Sequence, residues 1–133
     1  MIRAFLRSKI HRATVTHVDI DYEGSLSLDE ELLKAAGLAP FERVDVWNVS
    51  NGERFSTYII RGEKGSRQVG VYGAAGRKVR VGDVIIIAAY AYLVDNEVEF
   101  FTPKVVLMEE GNRIAGIQSG GHRPRRRAGK ARV

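Results

Sequence analysis

Along most of this chain apolar residues alternate with polar ones in short runs, and that period of two predicts a protein built mainly of β-strands. Ile2 to Ile20, with its β-branched stretch Thr14-Val15-Thr16, predicts one or two strands. Val44 to Val49 and Arg54 to Ile60 flank Asn51-Gly52, a dipeptide that favours the tight turn of a hairpin. Further strands are expected at Gln68 to Tyr72, Arg77 to Val81, Val98 to Thr102 and Lys104 to Met108. Val84 to Tyr90 is an almost unbroken apolar, β-branched run, the pattern of a strand buried on both faces. One stretch has a different period. Leu28, Leu32, Leu33 and Ala36 fall on one face of a helix, Ser27-Leu28-Asp29-Glu30 reads as a capping box, and Gly37 is a natural stop. Seven or so short strands and one short helix predict a mainly β fold, a small closed β-barrel.

Composition narrows the class without naming a function. A chain of 133 residues, 44% hydrophobic and 28% charged, is ordinary for one globular domain. No apolar run approaches the roughly 18 residues of a membrane span, and the charged start argues against a signal peptide, so a cytoplasmic protein without membrane partners is expected. The absence of cysteine excludes disulfides, thiolate–zinc sites and a thiol nucleophile. The net charge of +5 is unevenly placed: six of 21 basic residues follow Ser119, leaving 15 against 16 acidic residues in the body. Residues 119–133 are therefore expected to be a disordered basic tail on a nearly neutral domain of residues 1–118.

Candidate chemistry centres on Tyr22-Glu23-Gly24-Ser25. A serine hydroxyl can attack the carbonyl of the residue before it, turning an amide into an ester, and glycine there permits the backbone dihedrals that bring the two groups together. β-Elimination from the ester leaves dehydroalanine, and loss of ammonia leaves a pyruvoyl group at the new amino terminus. Taken alone, Gly-Ser is an ordinary turn. It stands, however, in an ordered set: Lys9-Ile10-His11-Arg12, Val15-Thr16-His17, Trp47-Asn48-Val49, Asn51-Gly52-Glu53-Arg54-Phe55-Ser56-Thr57-Tyr58, Gly65-Ser66-Arg67, Gly73-Ala74-Ala75 and Val81-Gly82-Asp83-Val84-Ile85-Ile86. In that order and spacing these runs resemble the bacterial aspartate 1-decarboxylases, from Met1 to about Glu109.

The resemblance implies a proenzyme that cuts itself between Gly24 and Ser25 into a β chain, 1–24, and an α chain, 25–133. It implies a six-stranded double-psi β-barrel, a homotetramer of four α and four β chains with sites between neighbours, and L-aspartate as substrate. The cofactor would be the pyruvoyl group made from Ser25, with neither metal nor pyridoxal phosphate. That ketone would form a Schiff base with the substrate amine and accept the electron pair released with CO₂, giving β-alanine for pantothenate. Tyr58 corresponds to the family's proton donor; Lys9, Arg54, Thr57, Gly73, Ala74 and Ala75 correspond to substrate-binding positions; His11, Tyr22, Trp47 and Tyr72 support the site.

Each of these residues also has a plainer reading. A guanidinium fork suits a carboxylate, but Arg54 by itself reads as a solvated hairpin arginine. Lys9 reads as a surface charge, Tyr58 as a half-buried strand tyrosine, Gly73-Ala74-Ala75 as a tight turn, and Trp47 as core. In a regular strand Thr57 and Tyr58 point to opposite faces, so one site can use both only through strand twist or a second subunit. Lys9 and His11 share a face. The family commonly carries asparagine where this chain has Tyr72, and alanine where it has Gly76. The rival readings are a barrel that no longer cleaves and a basic-tailed nucleic-acid-binding module; against the latter, the body lacks a basic face, RNA-recognition aromatics and a recognition helix.

Overall fold

The computed structural model describes residues 1–120, so most of the expected basic tail lies outside the described residues. The architecture is mainly β, as the alternating pattern requires, and consistent with a small β-barrel. Nine strands follow in chain order: β1 (Ile2–Thr14), β2 (His17–Asp19), β3 (Leu26–Asp29), β4 (Arg43–Asn48), β5 (Arg54–Gly62), β6 (Val69–Tyr72), β7 (Val84–Val94), β8 (Lys104–Glu109) and β9 (Arg113–Gln118). They are hydrogen-bonded in the order β2-β6-β3-β5-β4-β7-β1-β8-β9. β4 and β5 form the expected antiparallel hairpin, whereas β1–β8, β2–β6 and β3–β5 pair in parallel. Two helices, α1 (Glu30–Ala36) and α2 (Asp95–Val98), and two 3₁₀ helices, at Gly73–Lys78 and Glu110–Asn112, lie between strands.

The core is the inward face of these strands. Ile10, Val15, Leu26, Leu28, Val44, Val46, Ile59, Val69, Val71, Ile85 and Ile87 are at most 1% exposed, enough apolar area to hold the domain. β7 is buried on both faces only at its centre, Ile87 to Ala89; outside that segment half-buried and exposed residues interrupt it.

Several local expectations change. Ser27 does not cap α1. It lies inside β3, paired to Ile60 on one side and Gly70 on the other, and the strand continues until Asp29 pairs with Gly62. Asp29 is the cap, its carboxylate accepting from Glu31 N at 2.9 Å, and Gly37 closes the helix with φ of 70° as expected. Arg77 to Val81 is not a strand, because Gly73, with φ of 70°, turns the chain out of β6 into the 3₁₀ helix. Val98 to Thr102 is not a strand either: α2 starts where Glu97 accepts from Val94 N at 2.8 Å. The strand count passes six partly through short pieces such as β2, and β9 was not expected at all.

Candidate active site

Gly24 and Ser25 sit in the connection between β2 and β3, and the packing of β3 between β5 and β6 determines where they lie. The antiparallel β3–β6 register extends one residue beyond the strand, so Tyr72 N donates to Ser25 O at 2.7 Å. Ser25 is thereby held 6% exposed, at the wall of a cleft of about 270 Å³. Phe55, Ser56 and Thr57 of β5, Tyr72 at the end of β6, and Ala74, Ala75 and Lys78 of the 3₁₀ helix complete the lining.

The backbone around this peptide bond demands glycine twice. Gly24 has φ of +122°, and a Cβ there would come within 2.9 Å of Ile60 Cδ1. Gly73 has φ of +70°, and a Cβ on it would stand 3.1 Å from Gly24 O, the carbonyl that a Ser25 attack would use. Gly73-Ala74-Ala75 is therefore more than a spacer between strands. It lies directly against the candidate scissile carbonyl.

A second group of predicted residues lies on the other face of β5. Cross-strand register places Lys9, Ala88, Asp45 and Ser56 in one row, and His11, Ile86, Trp47 and Arg54 in the next. The Arg54 guanidinium lies 5.0 Å from the Trp47 ring centroid, a cation–π contact that aims the fork without engaging its N–H groups in an ion pair. Burial draws the Lys9 pKa below the ordinary lysine value. In the same region burial, and then the neighbouring Asp45 carboxylate, raise the Tyr90 pKa, while Asp45 also accepts from Ser56 Oγ at 2.6 Å. Tyr58 stacks on Phe41 with centroids 6.2 Å apart, itself 41% exposed and Phe41 78% exposed.

Exposure alternates along β5 from Arg54 to Ile59, and of Thr57 and Tyr58 only Thr57 lines the Ser25 cleft, which Ser56 lines as well. Within one chain, then, Gly24, Ser25, Thr57, Tyr72, Ala74 and Ala75 meet in one cleft, with Gly73 against it, while Lys9, His11, Trp47 and Arg54 share a separate surface. Tyr22 joins the first group through Tyr72, its ring edge-on at 4.8 Å. Lys78 was missed by sequence reasoning. It lines the cleft and pairs with Glu53 at 2.9 Å, and its only sequence signal is that it ends the segment begun by Gly73. Among the described residues no cluster of three or more His, Asp or Glu could hold a metal, and no helix is long and apolar enough to cross a membrane.

The pattern that defines the aspartate decarboxylase family matches residues 1–115. The chain belongs to this family. It is similar to the aspartate 1-decarboxylase of Ralstonia pickettii (strain 12J), 52% identical over 118 residues that cover 89% of this chain and 98% of that one. The aspartate 1-decarboxylase of Ralstonia nicotianae is 51% identical over 119 residues, covering 90% and 99%. That of Burkholderia vietnamiensis is 52% identical over 117 residues, covering 87% and 91%. Family membership thus spans both groups of site residues described above.

Proposed function

We propose that this chain is the proenzyme of a pyruvoyl-dependent aspartate 1-decarboxylase, which cuts itself between Gly24 and Ser25 and converts L-aspartate to β-alanine and CO₂ for pantothenate synthesis. The observation that carries the reading is the packing of the Gly24 carbonyl on Gly73 beside Ser25, in a cleft that Thr57 also lines, within a chain of this family. The Ser25 hydroxyl attacks Gly24 C, the Gly24–Ser25 amide becomes an ester, and Thr57 donates to the developing oxyanion. The residues present fit a pyruvoyl group at position 25, because left-handed Gly73 and small Ala74 and Ala75 leave room for a planar carbonyl and for backbone N–H groups to approach a carboxylate. Once formed, the group supplies the electron sink that decarboxylation needs.

The remaining residues bind, shield and protonate. Arg54, oriented over Trp47, offers two parallel N–H groups to a substrate carboxylate. Lys9, with its pKa lowered by burial, is the second cation of that surface, and His11 stands one row along. Tyr58 is the proton donor to Cα, through its phenol O–H. The two groups lie on opposite faces of β5, so the complete site forms when the Ser25 cleft of one copy meets the Lys9–Arg54–Tyr58 face of another. A homotetramer of processed protomers, four α and four β chains, provides that junction, and the exposed Phe41–Tyr58 stack is apolar surface for it to cover.

Intact-mass analysis tests the reading. Two chains divided after Gly24 are expected, the larger lighter than its serine-ended equivalent by the difference between a serine amine and a pyruvoyl ketone, and Ser25→Ala is expected to stay whole and inactive. A wild-type preparation that remains one chain on long incubation and releases no CO₂ from aspartate would instead identify a barrel that no longer processes.

A further inference from the structure

Position 72 carries tyrosine, and its side chain does not reach into the cleavage site to donate a hydrogen bond. The ring folds back along its own strand. Gln68, just before β6, and Gly70 and Tyr72 within it lie two residues apart on one face, alternating with the buried Val69 and Val71. Tyr72 Oη accepts from Gln68 Nε2 at 2.8 Å, and the phenol crosses the space above Gly70, where a Cβ would stand 2.5 Å from Oη and 2.6 Å from Cζ. Gly70 has no positive φ to explain it; it is glycine because the Tyr72 ring occupies the place of its side chain.

Held in this way, the Tyr72 ring meets Tyr22 edge-to-face, with centroids 4.8 Å apart and planes at 67°. Such a contact is favourable beyond the area it buries. The Tyr22 ring in turn lies beside Gly24: its Cε2 is 3.7 Å from the place of a Gly24 Cβ, a place that Ile60 Cδ1 also crowds at 2.9 Å. An aromatic ring and a methyl group thus both crowd the position where a side chain at Gly24 would stand. Its carbonyl oxygen rests on Gly73, and Tyr72 N holds the next carbonyl, that of Ser25, at 2.7 Å.

We propose that Tyr72 is a positioning residue for self-cleavage, acting through the Tyr22 ring to hold the Gly24 carbonyl in place, with Gly70 and Gln68 as the seat that keeps its own ring in position. This rests on the reading that the chain processes itself at Gly24–Ser25. Tyr22 is 55% exposed and has no other aromatic partner among the described residues, so without Tyr72 its ring would sample several rotamers and Gly24 would lose the fixed ring beside its Cα. Attack by a neighbouring hydroxyl depends on near-attack geometry, and a displacement of about 1 Å lowers such rates by about a hundredfold. A shift of a fraction of that, from a freed ring, corresponds to a slowing of roughly tenfold.

The test follows loss of the full-length precursor after synchronised cell-free translation of the whole chain, read by intact mass. Tyr72→Phe keeps the ring contact and loses only the Gln68 bond; it is expected to cleave within about twofold of wild type. Tyr72→Ala and Tyr22→Ala are each expected to be slowed about tenfold, and their combination to be no slower than the slower single change, since both act through one contact. Gly70→Ala, which forces the ring out while keeping every functional group, should also be slow. Tyr22 is exposed, so Tyr22→Ala still folds if Tyr72→Ala does not, and in the non-cleaving Ser25→Ala background it should leave the melting temperature unchanged. Wild-type speed in Tyr72→Ala or Tyr22→Ala overturns the proposal. So does a Tyr72→Phe as slow as Tyr72→Ala, which would make the hydroxyl the working group. A wild-type chain that stays whole, indistinguishable from Ser25→Ala, overturns the processing reading as well.

Discussion

Replacing Asp29 by asparagine should destabilise the domain in a way that fades as the solution is acidified. Asp29 is 4% exposed, and its carboxylate accepts three backbone N–H bonds: Glu31 N and Gly65 N at 2.9 Å on Oδ1, and Arg67 N at 2.7 Å on Oδ2. One side chain thus caps α1 and fastens the turn between β5 and β6. Burial alone pushes the Asp29 pKa up, but the backbone bonds from Glu31, Arg67 and Gly65, helped by the Arg67 charge, outweigh it and hold the pKa below the ordinary carboxylate value. Asparagine can accept on one oxygen, which keeps the Oδ1 pair. Its amide group then meets the Arg67 N–H as donor against donor, leaving a part-buried N–H unsatisfied at about 1–3 kcal/mol. Loss of charge assistance in the two remaining bonds adds about 1 kcal/mol, so the total is roughly 2–4 kcal/mol, a large share of a typical domain's 5–15.

The pH dependence follows from the sign of the shift. A carboxylate whose folded pKa is depressed contributes its full stabilisation above the unfolded value, near ~3.9, and loses it as pH falls through the folded value. Urea unfolding of the Ser25→Ala precursor, with and without Asp29→Asn at one protein concentration, should therefore show a gap of roughly 2–4 kcal/mol at pH 7 that narrows below about pH 4. A gap that stays constant to pH 3, or one below about 0.5 kcal/mol at pH 7, would refute the account of Asp29 as an ionised anchor.

Other expected outcomes concern the reaction. Gly73→Ala places a methyl 3.1 Å from Gly24 O in a left-handed conformation that costs a side-chain residue about 1–2 kcal/mol; mass-monitored cleavage should slow several-fold, and unchanged cleavage would mean that the carbonyl does not depend on this contact. Tyr58→Phe, on the opposite face of β5 from Thr57, should be cut at the wild-type rate but lose most turnover per pyruvoyl group; full turnover would remove Tyr58 as the acid. Arg54→Lys forfeits the bidentate fork and weakens the contact with Trp47, so KM for aspartate should rise on the order of tenfold with a smaller fall in kcat, and an unaltered KM would place carboxylate recognition elsewhere.

Much of this was legible in the sequence where one face of an element is apolar. β4 and β5 follow directly from alternation and β7 from its nearly unbroken apolar run, and Asn51-Gly52 marks the turn between the first two. The opposed faces of Thr57 and Tyr58 also follow from the strand period. Elements whose ends depend on distant partners were not legible. The pattern Ser27-x-x-Glu30 satisfies the capping rule, yet β3 is paired on both sides through Leu28 and with β5 through Asp29, and pairing across two neighbours outweighs a local cap. β9 begins beyond a turn with Asn112 at φ of 56°, and its residues are largely exposed, so it has no alternation to read. The division of the site between two faces of β5 was half legible, because the β1–β7 register of Lys9 and His11 is set between two bulges, at Leu6/Ser8 and at His11/Ala13, that no local pattern announces.

The strand order bears on what would happen to the fold if the chain is cut between Gly24 and Ser25 as proposed. Residues 1–24 contain β1, which sits between β7 and β8, and β2, which pairs with β6; each of these partners lies beyond Ser25. Severing Gly24 from Ser25 leaves the short piece woven into the sheet by its hydrogen bonds and by Ile10, Ala13 and Val15 in the core. The precursor can unfold and refold as a single chain. The cut protein, once unfolded, must bring two chains back together at whatever concentration they have reached, so refolding becomes bimolecular and dilution opposes it. Maturation would therefore turn a reversible fold into one whose persistence is set by its unfolding rate. Reversible melting of the Ser25→Ala precursor beside irreversible, dilution-sensitive melting of the processed enzyme would be its signature.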